Sequence, residues 1–193
     1  MQGRRGIEVA ARRPALLLGS IITFVLVVDQ ASKAFIRYWL KPSQSIPVWH
    51  GVFYITHVRN TGAAFGLMPG RQPLFVLTSV AVVLGIAIYW WWARPTARWL
   101  VTSLGFIAGG ATGNLIDRTL LGGRVTDFFD FAYINFPVFN LADSAILIGT
   151  VMLVIWVLLA PAPEDDAGEE AGTAAELAST AATDPTDGDG GTQ

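Results

Sequence analysis

Four apolar stretches constrain this chain more than any other feature. Residues 15–28, 74–92, 99–116 and 145–160 contain no Asp, Glu, Lys or Arg. About 20 consecutive apolar residues cross a bilayer core, so these stretches predict four membrane helices. The first is short, but a helix can run on past Asp29 through Ala34, Phe35 and Ile36. Asp29 and Lys33 then lie one turn apart on one face and offset each other near the membrane boundary. Four arginines precede this stretch, as in a cleavable signal peptide, but no Ala-x-Ala site follows, and a retained span is the better reading.

Charge divides the chain in two. Residues 1–160 carry all 13 Lys and Arg against six acids, while residues 161–193 carry nine acids and no base, so the net charge of −2 describes neither piece. With few large apolar side chains, the tail cannot offset its ordering entropy and is expected to be disordered. The chain therefore reads as a basic N-terminus (1–13), a membrane domain (14–160) and an acidic tail (161–193). Arginines before span one, and Arg94 and Arg98 between spans two and three, predict cytoplasmic termini. Lys33, Arg37, Lys41, Arg59, Arg71, Arg118 and Arg124 fall on the opposite side and weigh against that orientation.

The outward connections are then roughly 37–73 and 117–137. Residues 46–58 are rich in β-branched and aromatic residues and too polar to span, which predicts one or two short strands in a β region of about 41–70. Tryptophans near the predicted interfaces fit an anchoring belt. The fold class expected is an all-α polytopic membrane protein with four transmembrane helices, a small extracytoplasmic β-sheet and loop cradle, and the acidic tail. No inverted repeat of the transporter kind is visible.

Five acids lie within residues 14–160: Asp29, Asp117, Asp127, Asp130 and Asp143. Carboxylates at membrane depth are costly and usually face a bundle interior or a water-filled site. Span three ends in a stripe with Asn114 and Arg118 one turn apart, and span four opens with Asn140 and Asp143 at i and i+3. Each group also has a structural alternative. Asn140 suits a helix N-cap, Arg118 a snorkelling position and Asp130 a loop, while Asp117 is expected to pair with Arg118 or cap the loop. Together the acids suit one chemistry, since two carboxylates sharing a site hold one proton between them and can activate water against a peptide bond. Adjacent Ser32 and Lys33 do not face each other on a helix, and His50 and His57 lack acidic neighbours, so a Ser–Lys nucleophile and a metal site are both weak readings. With no cysteine, thiolate chemistry is excluded.

Five stretches resemble the lipoprotein signal peptidases, or signal peptidase II. They are Asp29-Gln30-Ala31-Ser32-Lys33, Asn60-Thr61-Gly62-Ala63-Ala64-Phe65-Gly66, Gly113-Asn114-Leu115-Ile116-Asp117-Arg118, Val125-Thr126-Asp127-Phe128 and Phe139-Asn140-Leu141-Ala142-Asp143-Ser144-Ala145-Ile146. The resemblance implies an aspartic endopeptidase of the bacterial cytoplasmic (inner) membrane. It would cleave diacylglyceryl-modified prolipoproteins just before the lipid-modified cysteine at the outer leaflet, with membrane lipids as its other partners, no cofactor and no nucleic-acid partner. It implies Asp127 and Asp143 as the catalytic dyad. Supporting residues would be Asp29, Lys33, Asn60, Gly62, Ala63, Ala64, Phe65, Asn114, Arg118, Phe139, Asn140 and Ala142, with Asp29 mainly structural. The alternative from another class is a non-catalytic transporter subunit that uses the same acids as a charge relay.

Overall fold

The computed structural model describes residues 2–62 and 72–159. The expectations for Ala63, Ala64, Phe65 and the acidic tail lie outside the described residues. Four helices form in chain order: α1 (Gln2–Trp39), α2 (Gln72–Ala93), α3 (Arg98–Leu120) and α4 (Leu141–Leu159). Each is long and apolar enough to cross a membrane, and in α1 the spanning part is Arg13–Trp39. The chain is a multi-pass membrane protein.

The first helix runs unbroken through Asp29 to Trp39. At about 1.5 Å per residue its 27-residue spanning part is roughly 40 Å long, more than the ~30 Å hydrocarbon core, so one end stands clear of it. Large apolar side chains on the other helices, such as Leu77, Ile88, Leu147 and Val157, are exposed and form the lipid-facing surface.

The third helix is the exception, for most of it is buried. It packs against α1, α2 and α4. Lipid tails are as apolar as leucine, so helices in a bilayer associate chiefly through close packing and hydrogen bonds, which small residues permit. Two glycines of α3 illustrate this. A Cβ at Gly110 would collide with the carbonyl oxygen of Ala142 in α4, and one at Gly113 would sit 2.5 Å from the Asp29 carboxylate of α1. Any side chain at Gly113 would push α1 and α3 apart at the level of the buried acids.

Three antiparallel strands, β1 (Ser45–Trp49), β2 (Phe53–Asn60) and β3 (Val125–Asp130), make a sheet in that order. The expected strand region supplies β1 and β2, whose hairpin turns at Gly51 with a left-handed φ of 77°. The third strand occupies part of a connection expected to be loop. Val-Thr-Asp-Phe-Phe-Asp favours a strand through its β-branched and aromatic residues, and pairing with β2 satisfies its backbone.

A small core of Ile36, Leu40 and Phe128, packed against Ile46, Ile55, Phe129 and Leu141, fastens the sheet to the end of α1. Buried His57 adds a polar tie, with Nδ1 2.8 Å from the carbonyl oxygen of Leu40. The sheet therefore stands at the C-terminal ends of α1 and α3 and the N-terminal end of α4.

Candidate active site

Strand β3 carries Asp127 with only 2 % of its surface exposed. Its register puts Asp127 opposite Val58 and Val125 opposite Asn60, next to a bulge in β2 between Ile55 and Val58. Asn60 Nδ2 donates to Asp127 Oδ2 at 2.8 Å, and its own Oδ1 accepts the Gly62 N–H at 2.9 Å. The other carboxylate oxygen, Oδ1, accepts from Asn140 Nδ2 at 2.6 Å.

Asn140 caps α4 as the sequence allowed and does more besides. Its Oδ1 accepts the N–H of Asp143 at 3.0 Å, while Asp143 Oδ2 accepts the N–H of Asn140 at 3.1 Å, a reciprocal pair of the capping-box kind. The remaining amide group points to Asp127 and to Asn114 Oδ1 at 3.2 Å. Thus the residue that starts α4 also fixes both carboxylates.

Asp143 Oδ1 accepts from Asn114 Nδ2 at 2.8 Å, and Asn114 Oδ1 accepts from Lys33 Nζ at 2.9 Å. Lys33 and Asp29 are fully buried and paired at 2.9 Å. Neither reaches the cavity; they stand behind it. Asp29 Oδ1 accepts the Ala142 N–H at 3.0 Å, so α1 grips the first turn of α4. Lys33 orients Asn114, and Asn114 orients Asp143.

Of the two roles expected for Asp117, it takes the loop cap and not the pairing with Arg118. Its carboxylate lies 3.7 Å from Lys33 and 3.8 Å from Arg37, accepts from Gln30 Nε2 at 3.2 Å, and takes the backbone N–H of Thr126 at 3.0 Å. Its ionic partners are on α1, because the α3 face that carries Asp117 packs there while Arg118 turns to the cavity. The Thr126 contact ties down the start of β3, one residue before Asp127.

A cavity of about 670 Å³ opens against Asp127 and Asp143. Asn60, Gly62, Asn114 and Arg118 complete its polar side, and Arg118 also stacks over Phe75 at 5.5 Å. The opposite wall is apolar: Phe131, Ile134, Phe139, Leu147 and Ile148. Phe139 also pairs its backbone with Phe129 and stacks its ring on Phe131. Ala142 contributes its backbone only, from a fully buried position. Asp130 is absent from the lining; its Oδ2 accepts the Thr56 hydroxyl at 2.7 Å on the sheet.

Apart from Phe139, the apolar wall lies outside the site residues expected from the motifs. The run Phe-Ala-Tyr-Ile-Asn-Phe-Pro-Val-Phe from Phe131 to Phe139 is too apolar for a solvated loop, a signal that was available in the sequence.

Burial, and next the charge of Asp143, pushes the Asp127 carboxyl from 3.8 up to about 7. At neutral pH Asp127 is therefore divided between acid and anion. One carboxyl that carries a proton close to one that is charged can act as an acid–base pair.

The family model for signal peptidase (SPase) II matches residues 21–159. A lipoprotein signal peptidase of Pelotomaculum thermopropionicum is 46 % identical over 144 residues, covering 75 % of this chain and 92 % of the relative. Another, from Halothermothrix orenii, is 42 % identical over 137 residues, covering 71 % and 92 %. Among solved structures, a bacterial membrane enzyme determined by the in meso method at 2.3 Å superposes with a TM-score of 0.68 at 31 % identity, covering 73 % of this chain and 87 % of that one. The charge-relay transporter reading finds no support in these matches.

Proposed function

We propose a mechanism from the premise that this chain belongs to the signal peptidase II family. It is a membrane aspartic peptidase, a hydrolase that removes signal peptides from prolipoproteins. Asp127 and Asp143 are the catalytic dyad in this proposal. The observation that carries it is that both carboxylates face one cavity, each held by an asparagine amide: Asp127 by Asn60 and Asn140, Asp143 by Asn114.

The charged member takes a proton from a water between the carboxyls, and the water oxygen bonds to the scissile carbonyl carbon. The protonated member gives its proton to the carbonyl oxygen as the C=O π bond opens. Collapse of the tetrahedral intermediate breaks the C–N bond, and a dyad proton passes to the leaving amine. One water is consumed, and a carboxyl and an amine are released. Burial and the charge of Asp143 raise the Asp127 carboxyl, which favours a dyad that holds one proton between its two members. Arg118 stands at the same cavity as a cation beside the developing oxyanion.

The substrate carries a diacylglyceryl-modified cysteine, and cleavage falls just before it. The exposed lining residues Leu147 and Ile148 of α4 support this, because acyl chains can stay in hydrocarbon beside them while the peptide reaches the dyad. The protein sits in the bacterial inner membrane with cytoplasmic termini and the dyad towards the outer leaflet. Residues 161–193 take no part in the reaction. Incubation of the purified protein with diacylglyceryl and unmodified forms of one prolipoprotein tests this. A new N-terminus at the modified cysteine, formed far faster from the lipidated form, is expected; equal rates or another cleavage site would contradict it.

A further inference from the structure

The arginines that weighed against the expected orientation are not scattered. Three of them, Arg37, Arg59 and Arg124, surround a second cavity of about 180 Å³ separate from the one at the dyad, completed by Leu121, Val125 and Thr126. The end of α1, β2, and the link from α3 into β3 each supply one arginine. Arg59 is the cross-strand partner of Thr126, and Arg37 Nη1 donates to the Thr126 hydroxyl at 3.1 Å.

The charges here do not balance. Asp117 lies 3.8 Å from Arg37 but also 3.7 Å from Lys33, and Asp29 is taken by Lys33. Among the described residues neither Arg59 nor Arg124 has a carboxylate within salt-bridge distance. Both residues are exposed and line a concave site. Their planar donor forks suit a phosphate, which can accept two parallel bonds from one arginine.

The site lies where α1 and α3 leave the membrane-spanning region, beside Leu121 and the largely exposed Leu120. A phosphate bound here from a lipid keeps its acyl chains alongside those leucines. We propose that Arg37, Arg59 and Arg124 form a binding site for the phosphodiester headgroup of an anionic phospholipid. The bound headgroup joins α1, β2 and the start of β3, and so braces the strand that carries Asp127. The site faces the same side of the bundle as the dyad but does not share its cavity.

Native mass spectrometry of the full-length protein tests this with phosphatidylglycerol and phosphatidylcholine of identical acyl chains. Phosphatidylglycerol should be retained preferentially. Arg59→Ala combined with Arg124→Ala should weaken its retention roughly thirtyfold, from about 1 kcal/mol for each arginine. Each single change should weaken it by roughly fivefold, so the proposal stays testable if the double variant folds poorly. Arg94→Ala, in the turn between α2 and α3 at the other end of the bundle, should leave retention unchanged. Equal retention of the two lipids, or full retention by the arginine variants, would overturn the proposal. Displacement of the lipid by millimolar inorganic phosphate would make free phosphate the ligand and overturn the lipid assignment.

Discussion

Asp29 accepts the backbone N–H of Ala142, 113 residues away, at 3.0 Å. The bond ties α1 to the first turn of α4, the turn that presents Asp143. Asp29 also holds Lys33, and Asp29→Ala would leave that buried ammonium only Asn114 and the more distant Asp117. Breaking a buried pair costs about 3–5 kcal/mol. The Tm of purified Asp29→Ala should fall clearly, and Asp29→Asn, which keeps an acceptor oxygen, should lose less. An unchanged Tm in Asp29→Ala would show that the pair is not what secures α4.

Asn114→Ala removes the donor to Asp143 Oδ1 and the acceptor for Lys33 Nζ in one change. Loss of one well-placed donor in a catalytic centre costs about 100-fold or more in kcat. Arg118→Ala removes a cavity cation that makes no hydrogen bond to either carboxylate, so it should lose less than Asn114→Ala. Both variants should insert normally, because neither side chain faces lipid. Steady-state cleavage rates on membrane-inserted protein check the order of the two effects.

The pH dependence follows from Asp127. A carboxyl raised from 3.8 to about 7 is protonated below 7, so an acid role there gives kcat/KM an alkaline limb near pH 7. The stability consequence has the same sign: this group's contribution is full below pH 3.8 and is lost as the pH rises through about 7. The Asn60 amide lowers this pKa by bonding to the anion. Asn60→Ala should therefore move the alkaline limb up, by about one unit for a hydrogen bond to a charged group. A limb that moves down would assign it to another group.

Much of this architecture could be read locally. Four spans follow from runs of apolar residues, and the Asp29–Lys33 pair follows from helical spacing alone. The relations that build the site depend on distant partners instead. Nothing around Asp117 announces Lys33 and Arg37, some 80 positions earlier, as its ionic partners, whereas its role as a loop cap on Thr126 is local in sequence. Strand β3 lies in a connection expected to be loop, and its two aspartates interrupt its apolar alternation. They are tolerable there because Asn60, Asn140 and Thr56 satisfy them. Asn140 was legible as a cap, but its second role needs Asp127 beside it.

The family match ends at residue 159, before the acidic tail. Deletion of residues 164–193 should leave cleavage by the inserted protein unchanged within about twofold, since tails too polar to bury a core rarely contribute to a site. A large loss in a properly inserted truncation would assign the tail a role in the reaction.

The most direct test of the account is cleavage of a diacylglyceryl prolipoprotein by three variants, Asp127→Asn, Asp143→Asn and Asp130→Asn. Asp127 and Asp143 face the cavity, whereas Asp130, three residues from Asp127, accepts the Thr56 hydroxyl on the sheet. A dyad that shares one proton fails as a unit, so either cavity variant should lose several orders of magnitude and the double variant little more. Asp130→Asn should stay active. An inactive Asp130→Asn beside an active Asp127→Asn would contradict the assignment and move the chemistry to Asp130.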